Sequence, residues 1–177
     1  MADREPLSAE AMVTGAATPT SWATAWGHLE GASATYWLAT VRSNGVPHVM
    51  PVLAVWVDGR LFLCAGKGTR KAKNLALNAR CVVTVEAEPI DLVVEGEAAK
   101  VRDAATLRRV ADAYASTYDW HVTVRDGGFH DTEGAPTAGP PPYDVYEVMP
   151  TVAFGFGTDE TFVPTRWRFA TGRPAER

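Results

Sequence analysis

From Thr35 the pattern of apolar and polar residues changes to short runs bounded by turn signals, as expected of strands. Thr35–Ser43, Val46–Val57 and Arg60–Ala65 are rich in β-branched and aromatic residues, and Asn44-Gly45 and Asp58-Gly59 separate them. Both dipeptides favour the positive-φ turns of tight hairpins, so three antiparallel strands in a meander are expected. The same reading places strands at Arg80–Glu86, Ile90–Val101, Tyr143–Met149, Val152–Gly157 and Phe162–Phe169.

Helical spacing appears in three places. Ser21–Gly31 carries Trp22, Trp26 and Leu29 on one face, with Ser21 as a cap, and is expected to plug a barrel end. Thr69 opens a helix over Arg70–Asn78, and Asp103 caps one reaching Tyr118, where Leu107, Val110, Ala111 and Tyr114 recur at helical intervals. The fold class is therefore mainly β with α additions. Six to eight strands are expected to form a closed antiparallel barrel, because closure removes sticky edges. Residues 1–20 read as a mobile leader, 21–169 as one domain with a long Gly- and Pro-rich loop at 126–142, and 170–177 as a tail.

Composition narrows the class. A chain of 177 residues buries roughly 70% of its unfolded surface without staples. Cys64 and Cys81 lie in apolar runs and read as free, small hydrophobes. Residues 1–20 lack the apolar stretch of a signal peptide, and no run approaches the ~20 apolar residues of a membrane span, so a cytoplasmic protein is expected. A net charge of −4 argues against non-specific nucleic-acid binding. Its distribution is more telling: no acid lies between Asp58 and Glu86, where Arg60, Lys67, Arg70, Lys71, Lys73 and Arg80 are basic. Such a concentrated segment suits a small anionic ligand.

Gly66-Lys67-Gly68-Thr69 lacks the upstream glycine of a P-loop, and Lys71 stands where a dinucleotide motif needs its third glycine. What remains is their shared physics: small residues that let an anion approach, free N–H groups at a helix start, and cations around it. Lys67, Gly68, Thr69, Arg70 and Lys71 supply these, although a solvated helix face would carry the same residues. Pro47 and Pro51 cannot donate to a ladder, so His48–Val52 faces a bulge, an edge or a ligand. The histidines lack zinc-site spacing, neither cysteine has a neighbouring base, and no Gly-x-Ser-x-Gly elbow is present. Trp167, between Arg166 and Arg168, offers a flat face to a ligand or a partner, or else packs without one.

Taken in order, Trp37-Leu38-Ala39-Thr40-Val41, Asn44-Gly45-Val46-Pro47-His48-Val49-Met50-Pro51-Val52, Gly68-Thr69-Arg70-Lys71-Ala72-Lys73-Asn74-Leu75 and Val94-Glu95-Gly96-Glu97-Ala98 resemble the pyridoxamine 5'-phosphate oxidase-like split β-barrel family, including its deazaflavin-dependent reductases. The resemblance implies a homodimer with a flavin-type cofactor, FMN or the deazaflavin F420, in a groove between subunits. It places Val49, Met50, Pro51 and Val52 along the ring, Cys64 and Ala65 beside it, and Arg70 and Lys71 on the phosphate with Thr69 and Asn74 assisting. It gives Trp167, with Arg166 or Arg168, the role of reaching the partner's cofactor. Asp91 stands where the oxidase has a glutamine, and the substrate motif of vitamin B6 oxidases is not visible. The expected activity is therefore an F420-dependent reductase acting on a small organic substrate, with an FMN enzyme or a non-catalytic flavin or haem carrier as alternatives. Lys67, Lys73 and Arg60 would meet the anionic tail of F420.

Overall fold

The computed structural model describes residues 5–131, 140–159 and 161–170. The meander appears as β2 (Tyr36–Val41), β3 (Pro47–Val52), β4 (Ala54–Val57) and β5 (Arg60–Gly66), preceded by β1 (Ser8–Ala11) and α1 (Trp22–Gly27). Then come α2 (Arg70–Leu77), β6 (Arg80–Val85), β7 (Ile90–Lys100), α3 (Ala104–Tyr118), β8 (Thr123–Arg125), β9 (Gly128–His130), β10 (Tyr143–Gly157) and β11 (Thr165–Arg168). All strand pairings are antiparallel. Asp58 and Gly59 have φ 52° and 68°, as a tight two-residue turn requires, whereas at the first hairpin Gly45 alone is positive (φ +83°) and the Arg42 amide donates to the Val46 carbonyl at 3.0 Å, closing a longer loop.

The sheet runs in the order β1-β11-β10-β7-β6-β2-β3, with β5 on β10 and β4 on β5. Among the described residues it has eleven strands, more than the expected six to eight, and hydrogen bonds do not close it. Only the single residue Leu53 separates β3 from β4, and β4 pairs with β5 alone. The ribbon thus returns on itself through covalent chain, leaving β3 with one paired edge, to β2. Pro47 and Pro51 fit this position, because a strand with a free edge tolerates missing donors.

β10 organises the rest. Tyr143–Val148 pairs with β5, Tyr146–Gly157 with β7 and Val152–Gly155 with β11. The two strands expected here are one, kinked by a register shift between Pro150 and Val152. At that kink a Cβ on Gly96 would lie 2.2 Å from the Met149 carbonyl oxygen, so only glycine permits the close crossing.

Residues 8–11 are not a mobile leader: β1 pairs along β11. The Thr20 amide donates to Thr165 Oγ1 at 3.0 Å and the Thr20 hydroxyl to the Val163 carbonyl at 3.1 Å. The start of the expected 126–142 loop is a hairpin as well, since Asp126-Gly127 turns β8 into β9 with both φ values positive. Residues 132–139 and 171–177 lie outside the described residues.

Alternation divides the apolar side chains between two cores. Leu38, Ala54, Trp56, Leu61, Leu63, Ala65, Val83, Leu92, Val94 and Val148 fill the barrel. Trp22 of α1 plugs it, edge-on to Trp56, Trp167 and Phe169 at 5.9, 5.4 and 5.0 Å. The intervening residues Val55, Phe62 and Cys64 face outward, where α3 covers them with Leu107, Val110 and Tyr114. β4 and β5 are therefore buried on both faces.

Candidate functional site

Thr69 caps α2: its hydroxyl accepts the Ala72 amide at 3.3 Å and donates to the Gly66 carbonyl at 2.8 Å. The cap fixes the angle at which β5 passes into the helix, leaving Lys67, Gly68 and Arg70 exposed around its start. On the buried side of α2, Asn74 Nδ2 donates to Thr40 Oγ1 at 2.9 Å, and the Thr40 hydroxyl donates to the His48 carbonyl at 3.3 Å. Asn74 and Thr40 are 2% and 1% exposed. This sealed relay ties the helix to β2 and, through it, to β3. Asn74 is thus a positioning residue facing the sheet, not a ligand-facing one.

Register puts His48 opposite Thr40 and Met50 opposite Leu38, on the side of the sheet that α2 covers. Burial and then the charges of Arg42, Arg70 and Lys71 hold the His48 imidazole below its ordinary pKa. Lys71 is buried, and burial lowers the pKa of its ammonium group. Arg42, Arg70 and Lys71 thereby form one cationic rim around His48 beside the start of α2; Arg70 and Lys71 belong to the acid-free segment, and Arg42 lies before it. Arg70 and Lys71 are visible in the sequence as a basic run. Arg42 is not, its signal being its place beside the Asn44-Gly45 turn.

The opposite face of β3 is apolar and open. Trp37, Val41 and Val49 are 46%, 37% and 52% exposed, and register places Trp37 opposite Pro51, Ala39 opposite Val49 and Val41 opposite Pro47. Val49, Met50 and Pro51 thus lie on an accessible strand, while Val52 is buried in the barrel.

Four expectations are corrected. Trp167 is fully buried; its Nε1–H donates to the Thr20 carbonyl at 2.9 Å and its ring lies against Trp22. It offers no face to a ligand or a partner, because α1 and the segment before it close over it. Arg166 pairs with Glu10 of β1. Arg60 is engaged twice, in an ion pair with Glu147 and over the Phe62 ring at 5.1 Å, and is unavailable to an anionic tail. Cys64 and Ala65 are 4% and 0% exposed, one in each core, so neither lines an open ring site. Burial pushes the Cys64 thiol up to about 12. A thiol reagent at pH 8 is therefore expected to leave Cys64 unmodified in the native protein and to label it after denaturation; rapid native labelling would show that the α3 layer opens.

Three further residues are settled by their contacts. Asp91 Oδ1 accepts the Ala87 amide at 3.1 Å and serves the β6–β7 turn. Tyr36 and Tyr114 are 1% and 0% exposed, so neither hydroxyl can reach an external substrate. Among the described residues no cluster of His, Cys, Asp and Glu could hold a metal ion, and no helix is long and apolar enough to cross a membrane.

Residues 29–155 match the family described as Pyridoxamine 5'-phosphate oxidase, well over half of the chain. The chain belongs to that family. Pyridoxamine 5'-phosphate oxidase-like proteins share a flavin-binding fold and are generally oxidoreductases. No curated protein matches the sequence. Among solved structures, a conserved hypothetical protein of Mycobacterium tuberculosis is 20% identical with a TM-score of 0.60, over 78% of this chain and 86% of that one. A heme-binding protein of Mycobacterium smegmatis is 17% identical with a TM-score of 0.55, over 80% and 56%. A structure named F420 reductase is 20% identical with a TM-score of 0.50, over 77% and 98%. At these identities the likeness establishes the fold alone.

Proposed function

We propose that the chain is an oxidoreductase that holds a phosphate-bearing flavin-type cofactor between the start of α2 and β3. The observation that carries this reading is the juxtaposition of a capped helix start, a rim of Arg42, Arg70 and Lys71, and an accessible apolar strand with a free edge. The helix amides and the cations suit a phosphate, each charge-assisted bond contributing about 1.5–3 kcal/mol. Val49, Met50 and Pro51 suit the edge and face of a planar ring. The cofactor would carry the hydride chemistry, while the protein binds and orients it.

F420 is the ligand we favour and FMN the alternative. Exposed Lys67 and Lys73 add positive charge beyond what one phosphate requires, and a polyanionic tail would use it. That a protein of this fold is named F420 reductase is consistent with the choice. The open face around Trp37, Val41 and Val49 is the surface a second copy would cover, completing a homodimer with the cofactor between subunits. The substrate is a small organic molecule.

Titration of the purified protein with FMN and F420 side by side is the test. Binding of F420 below ~10 μM, about −7 kcal/mol, and tighter than FMN, is the expected result. Binding of neither refutes the reading. Turnover of reduced F420 with a panel of acceptors then separates an enzyme from a carrier of flavin or haem.

A further inference from the structure

His48 occupies an unusual position in the cationic rim. It sits on β3 directly opposite Thr40, and its carbonyl takes part in the Asn74–Thr40 relay that fixes β3 against α2. Its Nδ1 is buried with no hydrogen-bond partner among the described residues. Three cations act on the ring: Arg42, just past the end of β2, and Arg70 and Lys71 from the first turn of α2. A buried, unsatisfied imidazole nitrogen beside three positive charges is costly to protonate while the rim is empty of anions. An anion placed among the same side chains reverses that balance, because it offsets the repulsion and offers an acceptor for a ring N–H.

We propose that His48 is a ligand-binding residue of this rim that takes up a proton when a phosphate group docks, so that anion capture and proton capture are one event. The proposal rests on the phosphate site described above and adds a residue and a linkage to it. In the free protein burial and the three cations hold the His48 imidazole below its ordinary pKa. In the complex it is the fourth cation. Proton uptake occurs at pH values between the lowered pKa of the free protein and the higher one of the complex. Affinity is then strongest at low pH and weakens as pH rises through the pKa of the complex, by at most tenfold per pH unit for one proton.

Calorimetric titration with FMN and with F420, in buffers of different ionisation enthalpy from pH 5.5 to 8.5, measures protons taken up directly. Running His48→Gln beside the native protein removes the cofactors' own titration from the comparison. The expected result is a larger proton uptake in the native protein than in His48→Gln near pH 6.5, with affinity of the variant several-fold weaker at pH 6 and equal at pH 8.5. His48→Lys, which keeps a fixed cation, is expected to hold its affinity at pH 8.5. Equal uptake by native and His48→Gln proteins, with binding intact, overturns the proposal and leaves the phosphate site standing. Binding of neither cofactor at any pH overturns the site itself.

Discussion

Replacing Arg70 by alanine and Lys71 by methionine together is expected to weaken FMN and F420 binding by at least a hundredfold. Two charge-assisted bonds at about 1.5–3 kcal/mol each set that scale, since every 1.4 kcal/mol is tenfold. Methionine is chosen at position 71 because that side chain is buried and its aliphatic stem contributes packing as well as charge. Thr69 keeps its cap in the double variant, so α2 retains its entry geometry. Equilibrium titration followed by flavin or deazaflavin fluorescence measures the loss, with thermal unfolding as the check on folding. Affinity within threefold of the native value would place the phosphate elsewhere.

Trp167→Ala is expected to lower stability by about 3–5 kcal/mol, the scale for truncating a buried large aromatic. The indole fills the barrel end against Trp22, donates to the Thr20 carbonyl, and lies so close to Gly155 that a Cβ there would approach its ring to 2.6 Å. No neighbour of that size can collapse into the space. Denaturant unfolding measures the cost. Trp167→Phe, which retains most of the volume, is expected to leave cofactor affinity unchanged. A large loss of affinity with unchanged stability would restore Trp167 to the binding site.

The two variants divide what the sequence made legible from what it concealed. Arg70, Lys71 and Thr69 were visible because capping and anion binding are local: a hydroxyl, small residues and cations within one turn announce themselves at fixed spacing. The hairpins at Asn44-Gly45 and Asp58-Gly59 were legible for the same reason. Trp167 was misread because its flanking arginines suggest a surface, whereas Glu10, Thr20 and Trp22, which engage or bury this strand, lie about 150 residues away in the chain. Arg60 was misread likewise, since its partner Glu147 comes from β10. The number of strands was underestimated because β1, β8 and β9 are short, and β1 shows its role only once β11 is in place. Cys64 was placed beside a ring because its strand was known but its face was not. On β5 both faces are covered, so alternation alone could not reveal which layer receives the thiol.

The way β10 is shared also dictates how a nascent chain acquires its shape. The β2–β3 and β4–β5 hairpins join close neighbours and form as soon as they are made. β5 and β7, however, find their common partner only in residues 143–157. Until that stretch leaves the ribosome, a long apolar ribbon waits with unsatisfied edges, and loop closure over ~80 residues sets the pace. Holding the chain at about residue 130 during synthesis should therefore leave a species that chaperones recognise, and release of the last quarter should convert it in one cooperative step.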